Sequence, residues 1–361
     1  MSDEMIRRGR EVYHSGRTPL RAKSPVRDPH LPVRDTQHGR PPAPGSVDAI
    51  RLAYCRSAPA AFPALAVVRF GTSFAEPVDA PLCIDVGLEP LGDTVGTTEI
   101  WRAAGPVTAA RVGSIRYATD GETLVGLLEL DEREYGGLAD ATEAAYKEIL
   151  AFQNHSAFPA LLRMWNYMDA INDVSGDLER YRQFCVGRAR GLSPMPAESF
   201  PAASGIGRQH PTHKLQVYWL ASRAPARAIE NPRQVSAYRY PPQHGPVSPS
   251  FSRAAIADDG TMFISGTASI VGHESLHEGD PLAQLDETLR NLATLTELGQ
   301  SAAIDERTLL KVYVRRHADA EPIARALRER VPHCPTLFLA ADICRKELLL
   351  EIEAVRAGAP D

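Results

Sequence analysis

The chain carries five cysteines in 361 residues, Cys55, Cys83, Cys185, Cys334 and Cys344, and no CxxC pair. An odd and widely spaced set argues against a disulfide framework and against structural zinc, and fits the reducing cytosol. An excess of one charge is also lacking. The 40 Lys and Arg face 45 Asp and Glu, mixed along the chain, so there is no electrostatic footprint for nucleic acid or an anionic membrane. The first forty-odd residues lack the apolar run that a signal peptide or a membrane span requires. "SGIG" and "SGTAS" lack the full glycine pattern of a phosphate cradle. These absences leave a globular, cytoplasmic protein whose expected partner is a small molecule, with neither nucleic acid nor membrane as a partner.

Apolar residues make up 43% of the chain, enough to build the cores of two ordinary domains or of one large one. Residues 1–46 are rich in Arg and Pro and read as a disordered tail, with β structure expected from about Val47. "AFPALAVVRFGTSF" (61–74) and "APLCIDVGLEPL" (80–91) have strand composition, with Gly71 marking a turn between them. An internal repeat follows. "TLVGLLELDE" (123–132), "ADATEAAYKEILAFQNH", "ALLRMWNYMD" and "FPAASGIGRQHPTHKLQVYWLAS" recur in kind and order as "TMFISGTASI" (261–270), "DPLAQLDETLRNLATLTEL", "TLLKVYVRRHAD" and "CPTLFLAADICRKELLLEIEAV".

Each copy alternates strand and helix signals. Leu285, Leu289, Leu292, Leu295 and Leu298 form one apolar helix stripe. Leu310, Val312 and Val314 alternate with Lys311, Tyr313 and Arg315, which predicts a strand buried on one face. The expected fold is α+β, two tandem modules with mixed sheets covered by helices on one face. The expected boundaries are 47–238 for the first module, 239–250 for a linker and 251–361 for the second.

The order "FISG", "GD" before an amphipathic helix, "NLATLTELG", "LLKVYVR" and "LLEIEAV" resembles the Rid (YjgF) fold, a small module that trimerises with ligand sites at subunit interfaces. A narrower resemblance runs from about Ile50 to the end. "FGTSF", "ILAFQNHSAFPALLRMWNYMDAIN", "LERYRQFCVGRARGL", "FPAASGIGR", "LQVYWLASR", "FISGTASIVGHESLHEGD" and "CRKELLLEIEAV" look like the chorismatase family, which removes pyruvate from chorismate. Rid deaminases carry an arginine two residues after the proline that opens the last hairpin; here Leu337 stands there, after Pro335. Imine hydrolysis therefore loses support. Aligning the copies places Gln216 opposite Glu351, so only the second keeps an acid at that position.

The chorismatase resemblance implies an enzyme that needs neither metal nor organic cofactor. Protonating the terminal methylene of an enol ether requires a neutral acid at pH 7, and burial can keep a glutamate protonated. By resemblance that acid is Glu351. Cys344 matches the cysteine of the branch forming 3-hydroxybenzoate, some of whose members also release 4-hydroxybenzoate. The branch forming a dihydroxycyclohexadiene carboxylate has a smaller residue there. A dianion calls for planar cations, and Arg163, Arg208, Tyr218 and Arg315 are the candidate grips, the middle two placed on the hairpin equivalent to the one holding Glu351. Glu353 is assigned a structural role.

Each residue also has a plain reading. Glu351 and Glu353 alternate with Ile352 and Ala354 as on a solvated strand, and Cys344 suits a small buried hydrophobe. Arg163 and Arg315 suit the wet side of a strand, and Tyr218 a core. A Rid-like binding module without turnover, and a hydrolase giving the diol, are the competing functions. In "GHESLHEGD", His273 and His277 would share a face only on a helix, and Gly272 and Gly279 mark a loop, so no metal site is expected. Monomer, dimer and trimer are all compatible with two copies in one chain.

Overall fold

The computed structural model describes residues 51–56, 63–74, 80–193, 195–299 and 304–358. The proposed tail, and the start of β structure at Val47, lie outside them. The described residues belong to one compact unit.

Strands β1 (Arg51–Cys55), β2 (Ala64–Phe70), β3 (Cys83–Val86) and β4 (Thr98–Arg102) form a four-stranded sheet in the order β1-β4-β2-β3. The two strands expected here, β2 and β3, are present but run parallel, with β4 on the far side of β2. Gly71 therefore does not close a hairpin. The first repeat supplies β5 (Thr108–Val112), β6 (Ile115–Thr119), β7 (Thr123–Asp131), α1 (Leu138–His155) and β8 (Ala160–Asp169). The short pair β9 (Val174–Ser175) and β10 (Leu178–Glu179), α2 (Arg180–Leu192), β11 (Ala202–Arg208) and β12 (Lys214–Ser222) complete it. Its sheet order is β11-β8-β12-β7-β6-β5.

The second repeat comprises β13 (Arg227–Ile229), β14 (Ala254–Ile256), β15 (Met262–Thr267), the two-residue strands β16 (Ile270–Val271) and β17 (Glu274–Ser275), and α3 (Pro281–Leu298). It continues through β18 (Thr308–Val314), α4 (Ala320–Arg330), β19 (Thr336–Ala340) and β20 (Leu350–Arg356). The order is β13-β14-β15-β20-β18-β19. The α+β arrangement and the repeat are as expected from the sequence. The final hairpins are not. In each copy the long central strand lies between the two supposed hairpin partners, pairing parallel with β11 or β19 and antiparallel with β12 or β20. The segment 341–349 is thus a crossing connection, which a turn-based reading of "DICRKE" could not distinguish from a tight turn.

Helix α3 opens with Asp280, whose carboxylate accepts from the N–H groups of Leu282 and Ala283, with Pro281 in the first turn. Leu285, Leu292 and Leu295 of its stripe are fully buried against Leu310, Val312, Val314, Ile352 and Ala354. Leu298 ends the stripe at the surface. The opposite faces of β8 and β18 were expected to be wet, yet both strands are buried on both sides. The reason is that all three sheets share one core. Trp101 and Val68 from the first sheet, Trp165, Tyr167 and Tyr218 from the second, and Phe263, Tyr313 and Leu337 from the third make one apolar cluster.

Charged residues on those inner faces find one another. Lys311, only 2% exposed, pairs with Glu99 at 2.7 Å and Glu353 at 3.0 Å, and Arg163 pairs with Glu353 at 2.7 Å. No helix among the described residues is long and apolar enough to cross a membrane.

Candidate active site

Edge strand β11 is stitched to the second module. Gly207 and Asp342 exchange backbone hydrogen bonds at 2.8 and 2.9 Å, the Ala203 N–H donates to Ser265 Oγ, and the Gly266 N–H donates to Ser204 Oγ. A cavity of about 440 Å³ opens beside this seam, a size suited to a small organic ligand. It is walled by β11, Gly266 of β15, residues 344–347 of the crossing connection, α2 and parts of the segment 240–251.

Helix α2 faces the cavity because of its glycines. Tyr181, Cys185 and Arg188, spaced four and three apart, share one face and line the space. Gly187 and Gly191 lie on the other side against α1, where a Cβ would overlap Ala139 and Tyr146. In the opposite wall β15 slips register against β20 between Ile264 and Thr267. Gly266 sits in this bulge, and a Cβ there would overlap the Glu351 carboxyl. The bulge and its glycine make the room that Glu351 occupies.

Glu351 is 5% exposed and lines the cavity. Burial, then the neighbouring Glu353, pushes its pKa up to about 8, while Arg163, Arg253 and Arg315 pull the other way. It is therefore mostly protonated at neutral pH. Glu353, two residues along the same strand, has the opposite fate. Burial works against its charge, but Lys311 and Arg163, with hydrogen bonds from Ser204 and Lys311, outweigh it and hold Glu353 below the ordinary carboxyl value. It accepts from Arg163 and Ser204 at 2.7 Å and from Trp165 Nε1 at 2.6 Å. Environment alone separates the two carboxyls into an acid and an anion.

Cys344 also lines the cavity, with Cys185 across from it on α2. Burial and then Glu351 drive the Cys344 thiol pKa upward, and burial drives Cys185 up to about 12. Both are neutral thiols at pH 7 and can donate or relay a proton without acting as thiolate nucleophiles.

The four expected grips lie outside the cavity lining, each committed to protein partners. Arg163 stands directly behind the wall, donating to Glu353 and, at 2.5 Å, to Ser204 Oγ. Arg208 donates to Gln216 Oε1 at 3.0 Å and the Lys214 carbonyl at 2.9 Å, and faces Asp169. Tyr218 stacks on Trp165 with centroids 4.4 Å apart and accepts from Lys311 in the shared core. Arg315 is a clamp for the 342–348 connection, donating to Asn172, Asp342 and the carbonyls of Ile343, Arg345 and Leu348. Arg163, Arg208 and Tyr218 lie on β8, β11 and β12, while Arg315 falls just past the end of β18; sequence patterning could not show what surrounds them.

The cavity has arginines of its own. Arg253 and Arg188 are 3% exposed, Arg345 is half-buried, and none has a carboxylate within ion-pair distance among the described residues. Each leaves a buried N–H without a hydrogen-bond partner: Nε of Arg188, Nε of Arg253 and Nη2 of Arg345. Tyr240 lies between two of them, its ring 5.6 Å from the Arg253 guanidinium and 5.3 Å from that of Arg345, while its hydroxyl accepts from Arg253 at 2.7 Å. Buried cations lacking counter-charges are costly, so the arrangement is one that an anionic ligand completes. The α2 face was legible, since Tyr181, Cys185 and Arg188 share helical spacing. Arg253 and Arg345 carry no such local signal.

The fold and the cavity are those of an enzyme with a small-molecule pocket. The family described as chorismatase FkbO/Hyg5-like, N-terminal, matches residues 99–221. A chorismatase from Streptomyces rapamycinicus is 39% identical over 280 residues, spanning 72% of this chain and 82% of that protein. A 3-hydroxybenzoate synthase from Streptomyces hygroscopicus is 36% identical over 277 residues, spanning 71% and 80%. A crystal structure of a chorismatase superposes with a TM-score of 0.76 at 31% identity, covering 86% of this chain and 100% of the other. The chain belongs to the chorismatase family.

Proposed function

We propose that this chain converts chorismate to 3-hydroxybenzoate and pyruvate, with Glu351 as the general acid and Arg253, Arg345 and Arg188 holding the substrate's carboxylates. The observation that carries the reading is the pairing, in one cavity, of a buried protonated carboxyl with three arginines that have no carboxylate within ion-pair distance among the described residues. Glu351 gives its proton to the terminal methylene carbon of the enol ether, and an oxocarbenium ion forms. The ring hydroxyl attacks within the molecule, the ether bond to the ring breaks, pyruvate leaves and the ring aromatises. No net water is consumed, whereas the diol-forming hydrolysis consumes one. Cys344, a neutral thiol beside the acid, moves a proton during aromatisation.

Incubating the protein with chorismate and following pyruvate release and the aromatic product tests the reading; pyruvate without an aromatic acid would overturn the assigned product. Cys344→Ala is expected to keep pyruvate release and shift the product toward the diol. Chromatography of the reaction mixture checks this, and an unchanged product ratio would remove the thiol from the mechanism.

The pH dependence follows from the sign of the Glu351 shift. A group that must be protonated and titrates at about 8 supports full kcat/KM below that pH and loses it tenfold per unit above. Bound dianion offsets the arginines that lower the Glu351 pKa, so the alkaline limb of kcat should lie at higher pH than that of kcat/KM. Coincident limbs would argue against a carboxyl held among those cations.

A further inference from the structure

Beside the cavity mouth, two loops bring together three donor atoms that no step above uses. His244 ends the turn Pro242–His244, and Gly245 follows it at φ 143°. His273 and Glu274 sit at the tip of the β16–β17 pair, where Gly272 has φ 59°. His244 Nε2 lies 3.2 Å from His273 Nδ1, which in turn lies 2.8 Å from a Glu274 carboxylate oxygen. All three ligand atoms fall within 4.8 Å of one another.

Protons alone satisfy this trio poorly. If His273 Nδ1 carries a hydrogen, that single N–H has to serve both the Glu274 carboxylate and the His244 Nε2 lone pair. If it carries none, it faces the carboxylate lone pairs directly. A tetrahedral ion with bonds of about 2.0 Å holds its donors about 3.3 Å apart, close to the spacing found between the two imidazoles. Arg345 and Arg182 stand close to His244 and oppose a cation, so Glu274 supplies the compensating charge. Gln243, from the same turn as His244, donates to Glu274 at 3.1 Å and orients it.

We propose that His244, His273 and Glu274 form a binding site for a zinc-class divalent ion that ties the 242–245 turn to the β16–β17 tip. The fourth coordination position is left to water. The ion's role is structural: it fixes the segment that carries Tyr240, and the His273 carbonyl that accepts from Arg345 at 2.8 Å, without entering the chemistry at Glu351.

Titrating the full, metal-free chain with cobalt(II), followed by visible absorption, tests the site. The expected result is saturation at one ion per chain, displacement by zinc, and a higher melting temperature with zinc bound. His273→Ala is expected to weaken binding on the order of 10- to 100-fold, the loss that even second-shell changes produce. Should that variant fold poorly, the exposed Glu274→Gln reports the same loss. Absence of saturable binding, or affinity unchanged from the parent in both variants, overturns the proposal. Pyruvate release measured with a chelator present is independent of it, so failure here leaves the reading of the cavity untouched.

Discussion

Replacing Glu351 with Gln is expected to lower pyruvate release by roughly 10²- to 10⁴-fold, the range that general acid catalysis contributes. The substitution keeps size and hydrogen-bonding shape but removes the transferable proton. Because Glu351 is mostly neutral when buried, Gln is close to isosteric with the working form, and thermal stability at pH 7 should barely change. Loss of turnover with an unaltered melting temperature is therefore the signature to seek. Turnover within a few-fold of the parent would remove Glu351 from the role of acid.

Arg253→Met is expected to lower kcat/KM by roughly 10²- to 10³-fold, the effect of truncating one partner of a buried charge pair. Two accompanying changes separate loss of a substrate contact from general damage. The arginine depresses the Glu351 pKa, so its removal should move the alkaline limb of the pH profile upward. It is also a buried cation with an unpaired Nε and no carboxylate within ion-pair distance among the described residues, held by the Val235 carbonyl and the Tyr240 hydroxyl, so its loss should change the stability of the ligand-free protein little. Arg253→Lys should recover little, since one ammonium cannot reproduce a planar two-point contact. A drop in activity together with a lower melting temperature and an unmoved pH profile would instead mark Arg253 as scaffold.

What could be read from the sequence was whatever has a period or a motif. The Leu285–Leu295 stripe, the alternation through β8 and β18, and the repeat itself all led to the observed elements. Glu351 and Cys344 were singled out by resemblance, and the fold brings both to one cavity. Arg163, Arg208, Tyr218 and Arg315 show what sequence could not supply. Alternation places a residue on a face but does not say what that face meets, and here the partners are Glu353 and Glu99 from other sheets, Asp169 from a neighbouring strand and Asp342 from the crossing connection. The arginines that do face the cavity come from a helix, the bend before a short strand and a crossing connection, which no single period links. His273 was read against His277, four residues away, although its neighbour in space is His244 from the segment assigned as a linker.

The first four-stranded sheet contributes no atom to the cavity wall, but it delivers Glu99 to Lys311. With Glu99 and Glu353 set against Lys311 and Arg163, the ledger of charge behind the cavity wall sums to zero. Trimming the protein to its two repeats would tip that ledger to positive, and an extra cation at that depth favours ionised Glu351 over its neutral form. A shortened enzyme would keep every group that lines the cavity and still be a weaker proton donor at the pH where the parent works best.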